Sequence, residues 1–296
     1  MKTEQLHDKA AGLDMRSARE ILEILHQSQV DAAKVVGAAI DEIEQGARAM
    51  ADAVRAGHKL VYAAAGASGT QAMADGLEIT PTFGIPIRQV RILRAGGLED
   101  MSRPKGEAED RVDAAEADAA VIDTGDCVIC VAASGNTTYP ATILEIAKAR
   151  GAVTIGMANN PDTTLLTEAD IPVLLPTAPE VIAGSTRLGA GTAQKVALNM
   201  MSSLMGVLLG HVMDGQMVNV IANNEKLFRR AENIVMHITG CSRAVAADAL
   251  ATAGGSVKPA ALLVKGAPDF AAAQGLLDQA DQNLRTALGF LDRRDG

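Results

Sequence analysis

The chain has 296 residues, 48% of them hydrophobic and only 2% aromatic, with 27 basic against 36 acidic side chains and a net charge of −9. That balance argues against sequence-independent binding to nucleic acid or an anionic membrane, and the scarcity of aromatics argues against a base-stacking platform. Three Cys in a chain this long exclude a disulfide scaffold.

Ser17 with Glu20 three residues on is a capping-box pattern, and Ile21, Leu22, Ile24 and Leu25 follow at helical spacing. A second helix is predicted from about Asp31 into Arg55, with Val35, Val36, Ile40 and Ile43 on one face. The period then changes. Strands are predicted at Lys59–Ala65, Gln89–Leu93, Cys127–Ala133, Ala152–Met157 and Ile171–Leu175. Helices fall between them, from near Ser68, within Ser102–Asp118, and at Tyr139–Arg150. A long helix follows Ser185 and runs towards Gly210. Cys127 and Cys130 form a C-x-x-C inside an apolar run, which reads as a buried strand rather than a redox or zinc motif.

Alternating strands and helices predict an α/β fold: a doubly wound three-layer sandwich on a mainly parallel five-stranded sheet, with extra N-terminal helices. The strands are continuous apolar runs, as burial on both faces requires. Beyond Thr239 the texture changes to short Ala- and Leu-rich helices, Ser242–Ala253, Pro259–Val264 and Ala271–Leu291. The reading is therefore a domain over 1–239 and a small helical, UBA-like domain over 240–296. The N-terminus carries no apolar signal region and no run of about 18 uncharged apolar residues occurs, so a cytoplasmic protein with no membrane span is expected.

The first and third strands end alike, in Gly66-Ala-Ser68-Gly69-Thr70 and in Ser134-Gly135-Asn136-Thr137-Thr138. Small residues let the chain turn sharply, and the helix that follows offers free N–H groups with hydroxyls at its cap. Such a turn binds an anion without a Lys. Neither turn matches a dinucleotide fingerprint or a P-loop. Gly184-Ser185-Thr186-Arg187 opens the long helix, and Gly189 and Gly191 inside it point to close approach of another backbone or of a ligand.

Pro179-Glu180-Val-Ile-Ala-Gly-Ser-Thr-Arg-Leu-Gly-Ala-Gly-Thr-Ala-Gln-Lys-Val-Ala-Leu-Asn-Met200 resembles the signature of the N-acetylmuramic acid 6-phosphate etherases and of the related glucokinase regulatory proteins. Asp75–Gly84, Gly106-Glu-Ala-Glu109-Asp110, Ala132–Gly135, Asn223–Leu227 and Thr239-Gly-Cys241 agree, in order, along nearly the whole chain. The resemblance implies a sugar isomerase, phosphosugar-binding fold and a homodimer. It implies a lyase that cleaves the lactyl ether of N-acetylmuramic acid 6-phosphate to N-acetylglucosamine 6-phosphate and D-lactate, in cell-wall sugar recycling. No cofactor or metal is implied. It carries the two catalytic carboxylates onto Glu78 and Glu109. The apolar neighbours of Glu78 predict a desolvated carboxyl acting as the acid, with Glu109 as the base. Substrate-binding positions are Ser68, Gly69, Ser134, Thr137, Thr138, Glu180, Ser185, Thr186 and His211.

The chain departs from the family at four usually basic positions, now Thr70, Asn136, Gly189 and His211. Arg88, Arg91, Arg94 and Arg103, in or near the second strand, are available as replacement cations. These departures keep open a lyase or isomerase for a different sugar phosphate, or a non-catalytic sugar-phosphate-binding regulator.

Overall fold

The structure is a computed structural model that describes residues 1–97, 106–220 and 225–293. Arg103, Asn223, Asn224 and the first residues of the helix expected from Ser102 lie outside the described residues. Ser17 caps α1 (Ala18–Val35): its hydroxyl accepts from the Glu20 amide at 3.3 Å, and the Glu20 carboxylate accepts from the Ser17 amide at 2.9 Å. A 3-10 turn at Val36–Ala39 separates α1 from α2 (Ile40–Arg55). The single helix expected from Asp31 to Arg55 is therefore two. The turn buries Val36 and Ala39, and Ile40, the first residue of α2, is exposed.

Five strands form one sheet: β1 (Leu60–Ala64), β2 (Val90–Arg94), β3 (Cys127–Ala132), β4 (Val153–Ala158) and β5 (Ile171–Leu174). Their order is β2-β1-β3-β4-β5 and every pairing is parallel. The helices α3 (Gly66–Phe83), α4 (Val112–Asp118), α5 (Thr138–Ala149) and α6 (Thr164–Glu168) lie between strands in sequence, and α7 (Gly189–Leu208) follows β5. All residues of β1 and β3 are buried. On one face Val61, Ala63, Val128 and Cys130 pack with Ala115 of α4 and Tyr139 and Ile143 of α5. The other face is covered by α2, which touches β1, β3 and β5. Both faces are dry, which is why the strands read as unbroken apolar runs. Cys127 and Cys130 are core residues of β3: burial pushes the Cys127 thiol up to about 12 and the Cys130 thiol higher still. Among the described residues no helix is long and apolar enough to cross a membrane.

The chain divides into two compact units, Met1–Leu77 with Ile87–Leu204, and Glu78–Pro86 with Met205–Gly296. The sheet belongs to the first. The second holds a two-stranded hairpin, β6 (Val212–Met213) and β7 (Gln216–Met217), and the helices α8 (Glu225–Thr239), α9 (Arg243–Thr252), α10 (Val257–Val264), α11 (Phe270–Gln279) and α12 (Leu284–Asp292). Its own core contains Val218, Ile234, Leu250, Leu262, Leu277 and Leu291. The single helix expected over Ala271–Leu291 is interrupted. Asp281 and Gln282 take left-handed φ values of 50° and 62°, and the Asn283 side chain then caps α12 by accepting from the Thr286 amide at 3.1 Å.

Candidate functional site

Strand β1 has β2 on one side and β3 on the other, so the strand order reverses between β1 and β3. Open α/β sheets bind ligands at this switch point, outside the carboxyl ends of the strands. The two Ser-Gly turns of the sequence leave those two neighbouring strands, whose last paired residues are Ala64 and Val131. A cavity of about 270 Å³ lies there. Gly66, Ala67 and Ser68 line it from the first turn, and Ala133, Ser134 and Thr137 from the second.

Each turn is shaped for this. Gly66 has φ 52° and begins α3, with Ser68 buried in its first turn. Gly135 has φ 76°, and a side chain there would run into Thr163. The Ser134 hydroxyl lies 3.1 Å from the Thr137 hydroxyl and accepts from the Asn136 amide at 3.2 Å. Hydroxyls of Ser68, Ser134, Thr137 and Thr186 thus share one cavity with the amino ends of α3 and α5. No Lys, Arg or His side chain is among its described lining residues. Backbone N–H groups and hydroxyls can hold a phosphate in such a place.

Glu109 joins them. It sits in a 3-10 turn at Glu107–Asp110, and its Oε2 is 3.6 Å from where a β-carbon on Gly66 would lie. The cavity also contains a carboxylate that the sequence did not single out, Glu4, whose Oε2 is 3.6 Å from the equivalent point on Gly184. No local pattern marks Glu4. It arrives because buried Asn160 ties the amino terminus to the second turn.

Other expected site residues are elsewhere. Glu78 is exposed, against the expectation of a desolvated carboxyl, because it shares the outer side of α3 with exposed Leu77 while Ile79 turns inward. It is twelve residues beyond Gly66 on α3 and is not among the residues that line the cavity. Glu180 is buried, and its two oxygens accept from the amides of Gly189 and Ala190 at 2.8 and 2.9 Å, so it caps α7. Gly69 makes room for the Arg94 side chain, 3.1 Å from where its β-carbon would be. Thr138 opens α5 and faces a second cavity, beside Ala141, Glu145 and Lys148. Ser185 sits next to the lining residue Thr186 and donates its amide to the Ile182 carbonyl at 3.0 Å. His211 belongs to the helical unit, its Nδ1 3.4 Å from the Asn219 side-chain nitrogen. Of the departures, Asn136 accepts from the amide and hydroxyl of Thr164 at 2.9 and 3.0 Å, holding α6 against the second turn. Among the described residues no group of three or more His, Cys, Asp or Glu is placed to hold a metal ion.

Residues 98–204 match the SIS domain family. An N-acetylmuramic acid 6-phosphate etherase from Deinococcus radiodurans is 40% identical over 290 residues, covering 97% of this chain and 95% of that protein. The chain belongs to the N-acetylmuramic acid 6-phosphate etherase family. A second etherase, from Symbiobacterium thermophilum, is 40% identical over 259 residues, 87% of this chain and 86% of its own length. Among solved structures, a phosphoheptose isomerase from Francisella tularensis superposes with a TM-score of 0.50 at 15% identity, covering 65% of this chain and all of its own, 100%. That likeness concerns the fold. The SIS match covers β3, β4 and β5 of the sheet described above, and the second Ser-Gly turn.

Proposed function

We infer that this chain is an etherase that converts N-acetylmuramic acid 6-phosphate to N-acetylglucosamine 6-phosphate and D-lactate. The observation that carries the reading is the meeting of both hydroxyl-bearing turns with Glu109 in one cavity, in a chain of this family. Ser68, Ser134 and Thr137, with the free amides at the starts of α3 and α5, hold the 6-phosphate. The sugar then lies along the cavity beside Glu109.

The chemistry needs two proton carriers. Glu109 removes the proton from C2 of the ring-opened aldehyde. The electron pair forms the C2–C3 double bond, the C3–O ether bond breaks, and an acid protonates the departing lactate oxygen. Water then adds across the double bond, its oxygen to C3 and a proton to C2. The family assignment makes Glu78 the second carboxylate. Glu78 is not among the residues that line this cavity. We therefore propose a homodimer in which Glu78 serves the cavity of the other copy. Exposed Leu77, beside Glu78, and exposed Ile87, before the edge strand β2, support an apolar contact between copies on that side. Free thiols at Cys127, Cys130 and Cys241 suit the reducing cytoplasm.

Lactate release from N-acetylmuramic acid 6-phosphate tests the activity. The wild type should release it, and Ser134→Ala should raise KM for the phosphorylated sugar while leaving the melting temperature unchanged. No lactate from the wild type overturns the reading.

A further inference from the structure

We propose that Glu4 is a specificity-determining residue of the sugar site, accepting a hydrogen bond from a hydroxyl or amide N–H of the bound sugar phosphate. The inference rests on the phosphate cradle of the preceding subsection. The amino-terminal segment is built into the site. Asn160, 2% exposed, accepts from the Lys2 amide at 2.7 Å through its side-chain oxygen. Its side-chain nitrogen donates to the Thr3 hydroxyl at 3.2 Å and to the Ala133 carbonyl at 2.9 Å. Ala133 directly precedes Ser134, so one buried amide fixes residues 2 and 3 to the turn that carries the phosphate hydroxyls. Thr3 is buried as a result. Glu4, next in sequence, lines the cavity with its carboxylate beside Gly184.

Among the described residues no hydrogen bond or ion pair joins the Glu4 side chain to a protein group. The described lining of the cavity offers the Glu4 carboxylate no cation, so a ligand seated beside it must bring the donor. A phosphate oxygen brings none. Hydroxyls and an acetamido N–H do, and a carboxylate accepting from them makes a charge-assisted bond. The strap thus reads the sugar, while the hydroxyls and helix ends read the phosphate. An exposed acid at a chain end usually does nothing measurable. Here the backbone on both sides of the cavity is held by the same buried Asn160.

Calorimetric titration of the full chain with inorganic phosphate and with N-acetylglucosamine 6-phosphate separates the two functions. Glu4→Gln should weaken the sugar phosphate about tenfold or more, the loss expected when an acceptor of a charge-assisted bond is neutralised. It should leave inorganic phosphate within about twofold. Glucose 6-phosphate, which lacks the acetamido group, then tells which donor is read. A large Glu4→Gln effect that persists with it assigns a hydroxyl, and one confined to the acetamido sugar assigns the N–H. An unchanged affinity for both sugar phosphates, with phosphate binding intact, overturns this proposal alone. A gain for inorganic phosphate would also overturn it, by showing that Glu4 faces the phosphate. If the wild type binds neither inorganic phosphate nor sugar phosphate, the cradle itself falls, and the assignment of Glu4 falls with it.

Discussion

The Glu180 carboxylate and Gly189 require each other. Glu180 Oε2 accepts from the Gly189 amide at 2.8 Å, and a β-carbon on residue 189 would stand only 3.2 Å from the same oxygen. The carboxylate is buried and cannot retreat without releasing the first amides of α7. A glycine inside a helix costs about 1 kcal/mol relative to Ala. At 189 that cost is outweighed by the cap and by a charge placed at the positive end of a 20-residue helix. Gly189→Ala should therefore lower stability by about 1 kcal/mol instead of raising it. Glu180→Gln should lower it by about 1–3 kcal/mol while changing affinity for N-acetylglucosamine 6-phosphate little. Urea unfolding and titration of both variants check this. Lost binding with unchanged stability would make Glu180 a ligand contact instead of a cap.

The helical unit buries a cation. Lys258, 3% exposed in α10, donates from Nζ to the Gln282 carbonyl at 2.8 Å, and burial pulls its ammonium down to about 8 from 10.5. Below pH 8 both folded and unfolded chains carry the proton, and the cost of burying the charge is felt in full. Between about 8 and 10.5 the unfolded chain binds more protons, so stability rises with pH. The wild type should gain roughly 1–2 kcal/mol over Lys258→Met between pH 7.5 and 9.5 in urea unfolding. A flat or falling difference would show that the ammonium is solvated.

These two sites mark where the sequence was readable and where it was not. The strands, the capping box at Ser17 and the two Ser-Gly turns depend on neighbours in sequence, and they appear as expected. That the turns belong to adjacent strands depends on sheet order, which no local pattern carries. Glu180 stands in the family signature as a ligand residue, yet its partners are nine and ten residues away across a loop. Glu4 reaches the site through Asn160, 156 positions further on (160 − 4), so nothing near it could announce it. The β6–β7 hairpin does carry a local signal. Asp214 and Gly215, with φ 48° and 73°, form the Asp-Gly pair that a two-residue hairpin favours.

The position of Glu78 makes the dimer testable without a structure of it. If Glu78 acts in the partner's cavity, Glu78→Gln and Glu109→Gln are each inactive alone. A mixed dimer of the two has one site with both carboxylates intact. Co-expression with random pairing should restore about a quarter of wild-type lactate release, since half the dimers are mixed and half their sites are whole. If both carboxylates belong to one copy, every site in the mixture is damaged and none is restored.

In the proposed reaction the ether is broken in the switch-point cavity and Glu109 carries the proton there. The most direct measurement pairs turnover with binding in Glu109→Gln. A group that acts only in the transition state lowers kcat and leaves ground-state affinity alone. Glu109→Gln should bind N-acetylglucosamine 6-phosphate within about threefold of wild type while lactate release falls at least about a hundredfold, the scale of a lost general base. Wild-type lactate release in that variant would contradict it.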